Sequence, residues 1–192
     1  EGELPPELVD LDEPLVLVTT SSEFQDDGRL VEVALEALAA EPVHVVATVP
    51  AGTTVSGVGA RATVLPFAPH SPILARCACA ITHGGMGATQ KALGLGVPVC
   101  AVPFGRDQPE VARRLEVAGA GTRLRARRLN PDRLRAKVRE AIRLRPGAER
   151  VARAFAAAGG PAAAADAVEG WLLSPWAGRR RRPPSTGRQR RR

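Results

Sequence analysis

Short apolar runs alternate along the chain with segments whose apolar positions recur at helical spacing. The first run covers residues 15–18 and ends at four hydroxyl residues, 19–22. Runs that are apolar at every position are typical of strands buried on both faces of a parallel sheet. The same pattern predicts five further strands, at residues 43–49, 62–65, 78–82, 97–102 and 121–124.

Helices are predicted between these strands. Helical spacing is found at residues 30–38, 86–95 and 108–118, and helical segments continue from residue 131 to about 173. The alternation predicts an α/β fold with a doubly wound, parallel, six-stranded Rossmann-like sheet of strand order 3-2-1-4-5-6. Ligands of such sheets bind where the strand order reverses, which here is the crevice beyond the carboxyl ends of strands 1 and 4.

The loop after strand 4 is the most informative stretch. His83 follows the strand, and Gly84, Gly85 and Gly87 come before the next helix. Glycines let backbone N–H groups approach a ligand, and a helix N-terminus favours an anion such as phosphate, to which His83 can also donate. The alternative is a tight strand-to-helix turn that His83 caps. The sequence has no dinucleotide or P-loop glycine fingerprint, which argues against nicotinamide cofactors and ATP hydrolysis.

Two further loops are predicted at the same edge. Residues 67–71 follow strand 3 and offer Phe67 and a proline-bent backbone to a planar base. Asp107 and Gln108 follow strand 5, where a carboxylate beside an amide suits sugar hydroxyls. The structural alternatives are a core position for Phe67 and an N-cap role, which we expect in any case, for Asp107. With Ser21 and Ser22 after strand 1, these loops predict a nucleotide-sugar site.

Charge divides the chain into three parts. Residues 1–60 hold twelve acids and one base, residues 61–178 eighteen bases and eight acids, and residues 179–192 eight arginines and no acid. We expect a linker from a missing N-terminal domain at 1–13, a nucleotide-sugar-binding domain at 14–174 and a basic disordered tail at 175–192. Residues 179–192 have no aromatic side chain to stack on a base, so no specific nucleic-acid partner is expected.

Cysteine spacing and hydropathy bear on three further properties: zinc binding, cellular location and membrane spanning. Cys77, Cys79 and Cys100 are one ligand short of a four-cysteine zinc site and lack its spacing. An odd number of cysteines suits a reduced compartment, and no secretory leader pattern follows Glu1, so we expect a cytoplasmic location. The longest mainly apolar run, residues 92–105, contains two prolines and is too short to cross a bilayer, which predicts no transmembrane segment.

At these residues the chain resembles the C-terminal, donor-binding half of glycosyltransferases built from two Rossmann-like domains, the GT-B fold. The bacterial macrolide and natural-product branch of the UDP-glycosyltransferase family is the most similar group. The resemblance covers roughly residues 14–173 and is carried by residues 67–70, 82–89, 97–98, 103 and 107–108.

The resemblance implies a role for each matching residue. The diphosphate site is His83, Gly85, Met86, Gly87, Ala88 and Ser22, the base site is Phe67, Ala68 and His70, and the sugar site is Asp107 and Gln108. Phe67 and His70 stand where the family often has Trp and Gln, and Ser21 replaces a usual glycine. Lys91 stands where many members carry a glutamate that accepts from the ribose hydroxyls, and an ammonium has no acceptor. Three explanations are open. The donor contains deoxyribose and does not need this acceptor, or Gln90 helps to bind the ribose, or Lys91 pairs with phosphate.

The resemblance also implies the reaction. It is an inverting, metal-independent transfer of a hexose or deoxyhexose, without a cofactor, from a UDP- or dTDP-sugar to a hydroxyl of a small-molecule or lipid acceptor. In this family the N-terminal domain binds the acceptor and usually supplies a histidine base, and that half has no counterpart here. None of His44, His70 and His83 matches the base, so we expect no catalytic base in this chain and an acceptor-binding domain or subunit as its partner. His44 lies inside a strand pattern and is expected to be a packed structural residue.

Several alternatives stay open from the sequence. The chain could be a non-catalytic nucleotide-sugar-binding module from a truncated gene, or the donor subunit of a two-subunit glycosyltransferase. A nucleotide-sugar epimerase has a similar fold. An arginine-driven nucleic-acid binder would lose affinity steeply with salt.

Overall fold

The computed structural model of this chain describes residues 2–20 and 28–172. The strands are β1 Leu15–Thr19, β2 His44–Thr48, β3 Ala62–Leu65, β4 Cys77–Thr82, β5 Val99–Ala101 and β6 Gly121–Arg123. The α-helices are α1 Gly28–Leu38, α2 His70–Leu74, α3 Met86–Gly94, α4 Gln108–Val117, α5 Pro131–Arg143, α6 Arg145–Ala157 and α7 Gly160–Leu172. Two short 3-10 helices cover Pro6–Leu8 and Ala126–Arg128.

The six strands form one parallel sheet in the order β3-β2-β1-β4-β5-β6. The predicted fold class and strand order are therefore confirmed, and the order reverses between β1 and β4. Thr19 at the end of β1 is in register with Thr48 of β2 and with Thr82 of β4. These three strands consequently end level with one another, and the loops that follow them share one edge of the sheet.

Helices cover both faces of the sheet, which explains the unbroken apolar runs. Val16 and Val18 of β1 pack into a cluster with side chains of α1 and α5, and Leu15 and Leu17 pack into a second cluster with those of α2, α3 and α4. All four are at most 1% exposed. Because burial is complete on both faces, β1 shows no alternation of apolar and polar residues.

The segment before β1 packs against the sheet domain. Leu8 is fully buried, and Leu4 and Leu11 pack partly buried against the same core. The Arg76 guanidinium, just before β4, donates to the carbonyl oxygens of Leu8 and Leu11. Residues 4–11 are thus part of the packed structure, and the origin of this segment as a linker from another domain stays a prediction.

The chain divides into two compact units, Glu1–Phe155 and Ala156–Arg192. The first unit contains the whole sheet and helices α1 to α5, and α7 lies in the second. The predicted tail, 175–192, falls outside the described residues. Among the helices that the structure describes, none is long and apolar enough to span a membrane.

Candidate functional site

A cavity of about 750 Å³ opens at the edge where β1, β2 and β4 end. It lies at the predicted switch point of the sheet, where ligands of doubly wound folds bind. Its lining residues come from the loops after β1, β2, β3 and β4 and from α3: Thr19, Thr20, Thr48, Val49, Pro50, Pro66, Phe67, Ala68, Pro69, His70, Ser71, His83, Gly85, Gly87, Ala88 and Lys91.

The loop from β4 to α3 leaves the N-terminus of α3 without a side-chain cap. The Gly84 N–H donates to the Thr82 hydroxyl over 2.9 Å, and this hydrogen bond closes the turn after β4. Gly84 has φ +87°, a left-handed conformation that favours glycine. Helix α3 begins after Gly85 with no side-chain cap, and Gly85, Gly87 and Ala88 line the cavity. The N–H groups of the first turn are therefore available to an anion, and the alternative in which His83 caps the turn stays a prediction.

The position of His83 depends on the glycine two residues later. The imidazole lies against the α-carbon of Gly85, where a Cβ atom would be 2.8 Å from its Cε1 atom. Real Cβ atoms do not approach a ring so closely, so the glycine makes room for the half-buried imidazole. His83 and the start of α3 thereby share one wall of the cavity, as the sequence predicts for a phosphate site.

The residues predicted to hold a base line the same cavity. The Phe67 ring is 82% exposed and lines the cavity, so it is not a core residue, while Ala68 is buried beside it. The His70 Nε2 atom lies 3.1 Å from the Thr48 hydroxyl oxygen. Burial lowers the pKa of His70 below its usual range, and the charge of Lys91 lowers it further. An exposed aromatic ring can stack on a planar base, and a neutral imidazole can form a hydrogen bond with an uncharged one.

Helix α3 contributes the predicted ribose residue, and other predicted residues lie outside the lining. Lys91 is exposed and faces the cavity. Gln90 and Met86 are exposed but do not line it. Ser21 and Ser22 fall outside the described residues, whereas the preceding Thr20 does line the cavity. The Thr20 hydroxyl is buried without a hydrogen-bond partner among the described residues, so a ligand could satisfy it.

The loop from β5 to α4 differs from the expectation. Asp107 occupies the N-cap position but makes no side-chain hydrogen bond to the helix, so the predicted capping by its carboxylate is wrong. Its backbone is helical, φ −83° and ψ −7°, whereas a capping side chain needs an extended backbone. The exposed carboxylate is consequently not held by the helix.

Gln108 anchors the same loop from within. Its side chain is 2% exposed, and its amide oxygen accepts from the N–H groups of Phe104 and Gly105 over 2.8 and 3.1 Å. A Cβ on Gly84 would lie 3.2 Å from the Gln108 carbonyl oxygen, so the two loops pack closely. The structure shows Gln108 positioning the loop, and its predicted contact with a sugar stays a prediction, as does that of Asp107.

The remaining histidine and the cysteines belong to the interior. His44 is 6% exposed, and its Nε2 lies 2.9 Å from the Thr63 hydroxyl oxygen, which confirms a packed structural residue. Burial raises the pKa of Cys77 to about 12 and of Cys100 to about 11, so both thiols stay protonated at neutral pH. Within residues 2–20 and 28–172, no group of histidine, cysteine and acidic side chains could hold a metal ion.

Strand β2 contributes to the cavity, although the site predicted from the sequence did not include it. Thr48, Val49 and Pro50 lie at the end of that strand and line the site. The rule that parallel strands end at one edge could have identified them, because β2 is adjacent to β1 in the predicted order.

Comparison with known proteins agrees with the architecture. Residues 32–170 match the family described as the erythromycin biosynthesis protein CIII-like, C-terminal domain. The 4'-demethylrebeccamycin synthase of Lentzea aerocolonigenes is 36% identical over 165 residues, which are 84% of this chain and 39% of the synthase.

Two solved structures are similar in fold and sequence. CalG4, the calicheamicin glycosyltransferase, superposes with a TM-score of 0.78 at 29% identity, over 89% of this chain and 46% of CalG4. The glycosyltransferase VinC, in complex with DTDP, gives a TM-score of 0.71 at 27% identity, over 82% of this chain and 41% of VinC. The chain therefore spans less than half the length of each of these relatives.

The family match covers most of the chain, and the sheet order is the one expected for the C-terminal half of a GT-B enzyme. This chain belongs to the family of C-terminal domains similar to that of erythromycin biosynthesis protein CIII, from glycosyltransferases of natural-product biosynthesis with the GT-B fold.

Proposed function

We propose that this chain binds the nucleotide-diphospho-sugar donor of an inverting, metal-independent glycosyltransferase. The observation that carries the proposal is the cavity at the switch point of the sheet, which is lined by an exposed aromatic ring and by an uncapped helix start beside His83. A base and a diphosphate are the two ends of a nucleoside diphosphate, and the lining offers each end a suitable group.

The charge of the cavity supports an anionic ligand. His70, His83 and Lys91 are its titratable side chains among the described residues, which contribute no aspartate or glutamate to the lining. The N-terminus of α3 adds the partial positive charge of the helix dipole, and this effect is strongest within the first turn. A diphosphate placed there would be stabilised by N–H donors and by His83 together.

The same contacts would assist the reaction. An acceptor hydroxyl attacks the anomeric carbon of the donor sugar, a new carbon–oxygen bond forms, and the bond from that carbon to the diphosphate oxygen breaks. The electron pair leaves with the diphosphate, so negative charge grows beside His83 and α3 as the bond breaks. The hydroxyl proton goes to a base, which we place in an acceptor-binding domain or subunit outside this chain.

The substrates follow from the same proposal. The donor is a UDP- or dTDP-linked hexose or deoxyhexose, and the acceptor is a hydroxyl of a small molecule or a lipid. The relatives named above support this class, since one is the calicheamicin glycosyltransferase and another was solved with DTDP. We propose that no metal ion is required, because the helix start provides partial positive charge and His83 can donate a hydrogen bond to the diphosphate, and we propose a cytoplasmic location.

Calorimetric titration tests the proposal. The purified chain is titrated with UDP, dTDP, GDP and ADP in the absence of metal, in parallel with His83→Ala. We expect binding of a pyrimidine diphosphate, weakened in the variant by about 1.5 to 3 kcal/mol, as for the loss of a hydrogen bond to a charged group.

His44→Gln is the matched control. It removes an imidazole that lies in the interior at the start of β2, and glutamine keeps a hydrogen-bonding group near Thr63. The folded control should bind the nucleotide like the original chain. Absence of binding to all four nucleotides, in a chain that circular dichroism shows to be folded, contradicts the proposal.

A further inference from the structure

Lys91 lies on the face of α3 that is turned to the cavity. Gly87, Ala88 and Lys91 all line the cavity, and their spacing of three and four residues places them on one helix face. Lys91 is about 7.5 Å along the helix axis from Met86, the first residue of α3. Side chains on a helix tilt toward its N-terminus, so the long Lys91 stem leads back to the open first turn.

The Lys91 side chain can donate hydrogen bonds but cannot accept them. Its ammonium carries three donors and no acceptor, whereas the two hydroxyls of a ribose need an acceptor if their protons are to be bound. Lys91 makes no ion pair with any described residue, and the described part of the lining contains no carboxylate that could neutralise it. Its charge nevertheless acts on the cavity, since it lowers the pKa of His70, which also lines the cavity.

We propose that Lys91 donates to a phosphate oxygen of the bound nucleoside diphosphate, so that the site holds its donor through the phosphates and not through the ribose hydroxyls. This inference rests on the function proposed above and adds a substrate class to it. Deoxyribonucleotide and ribonucleotide donors then bind with similar affinity, because no contact depends on the 2′-hydroxyl. Lys91, His83 and the first turn of α3 then provide three separate hydrogen-bond donors to one diphosphate.

The test compares two nucleotides that differ only at the 2′ position. UDP and 2′-deoxy-UDP are titrated into the original chain, Lys91→Gln, Lys91→Arg and Lys91→Glu. We expect nearly equal affinities for the two nucleotides and a loss of about tenfold or more for both in Lys91→Gln, as for other charge-assisted hydrogen bonds. Lys91→Arg keeps the charge and retains most of the affinity, and Lys91→Glu loses more than Lys91→Gln.

Lys137→Gln is the matched control. Lys137 is the other lysine of the chain, and it lies on α5 in an ion pair with Glu140, outside the cavity lining. Its replacement removes the same charge and should leave both affinities unchanged. Repeating the titrations with added NaCl gives a second readout, because the affinity of the original chain should fall more steeply with salt than that of Lys91→Gln.

Two results overturn the inference while the proposed function stands. One is a Lys91→Gln variant that binds UDP like the original chain. The other is a Lys91→Glu variant that gains affinity for UDP over 2′-deoxy-UDP, which would place residue 91 against the ribose. If the original chain binds neither nucleotide, both the proposed function and this inference fail. The titration of the original chain therefore distinguishes failure of the proposed function from failure of this inference alone.

Discussion

At the scale of single residues, Gly85 controls the position of His83. A methyl group at residue 85 would overlap the imidazole, while its backbone, φ −64° and ψ 139°, is open to any residue. Gly85→Ala should therefore move the ring and leave the fold intact. We expect nucleotide affinity to fall about as far as in His83→Ala, measured by calorimetry, with little change in the midpoint of thermal unfolding.

A double variant makes this prediction specific. Once His83 is alanine, Gly85→Ala has no ring to displace and should cause little further loss of affinity. Gly94→Ala is the control on the same helix, where the new Cβ would make only an ordinary contact, 4.0 Å from the Phe155 ring. That control should bind normally and be no less stable than the original chain, because alanine is favourable in a helix. A Gly85→Ala variant that binds like the original chain contradicts the prediction.

Single residues are also where the sequence analysis went wrong. Asp107 stands at the start of α4, and its residue type favours capping, but the helical backbone at that position turns the carboxylate away from the cap. Gln108 was predicted to contact a sugar, which stays a prediction, and the sequence did not indicate that its amide oxygen holds the backbone of the preceding loop. Residue type fixes what a side chain can bond to, and only the backbone decides which partner it reaches.

At the scale of elements, the segment before β1 is held by Arg76. Its guanidinium donates to the Leu8 and Leu11 carbonyl oxygens, and Leu8 is fully buried. Arg76→Ala should lower the free energy of unfolding by about 1.5 to 3 kcal/mol, since hydrogen bonds from a charged group are lost. Chemical denaturation measures the loss, and limited proteolysis should cut the segment faster in the variant.

Arg61→Ala provides the comparison for this element. The exposed Arg61 guanidinium makes one bond of 3.3 Å to the Glu41 carbonyl oxygen, and its removal should cost less than about 1 kcal/mol. Equal losses in the two variants would show that Arg76 does not hold the segment.

The sequence predicted the strands well, and it predicted irregular segments poorly. Strand β3 has the predicted bounds, and the order of all six strands is correct, because each short apolar run must be buried between two layers of helices. Helix α2 is only five residues long, too short for a helical period to show. Leu4, Leu8 and Leu11 do recur at helical spacing in an acidic segment, a signal of packing that the high charge of the segment concealed.

At the scale of the whole molecule, we expect nucleotide binding and contact with nucleic acid to depend on different groups of basic residues. Residues 173–192 carry eight of the twenty-seven bases and no acid, so a chain ending at Leu172 keeps nineteen bases against twenty acids. The cavity lies in the unit Glu1–Phe155, and its described lining stops at Lys91. The described lining already provides the groups that we propose to bind the nucleotide, and physiological salt weakens further surface charges, so we expect the arginines to add little to nucleotide affinity.

Truncation after Leu172 tests this separation. The truncated chain should bind UDP with an affinity within about twofold of the full chain at 0.15 M salt, because the described lining already provides the groups proposed to bind the nucleotide. A fluorescent single-stranded DNA should bind the full chain only weakly and with a steep salt dependence, since an arginine cluster without aromatic residues contacts phosphates and does not read bases. It should not bind the truncated chain measurably. Retained DNA binding after truncation would place a nucleic-acid site in the remaining residues, and a large loss of UDP affinity would mean that residues 173–192 act on the cavity.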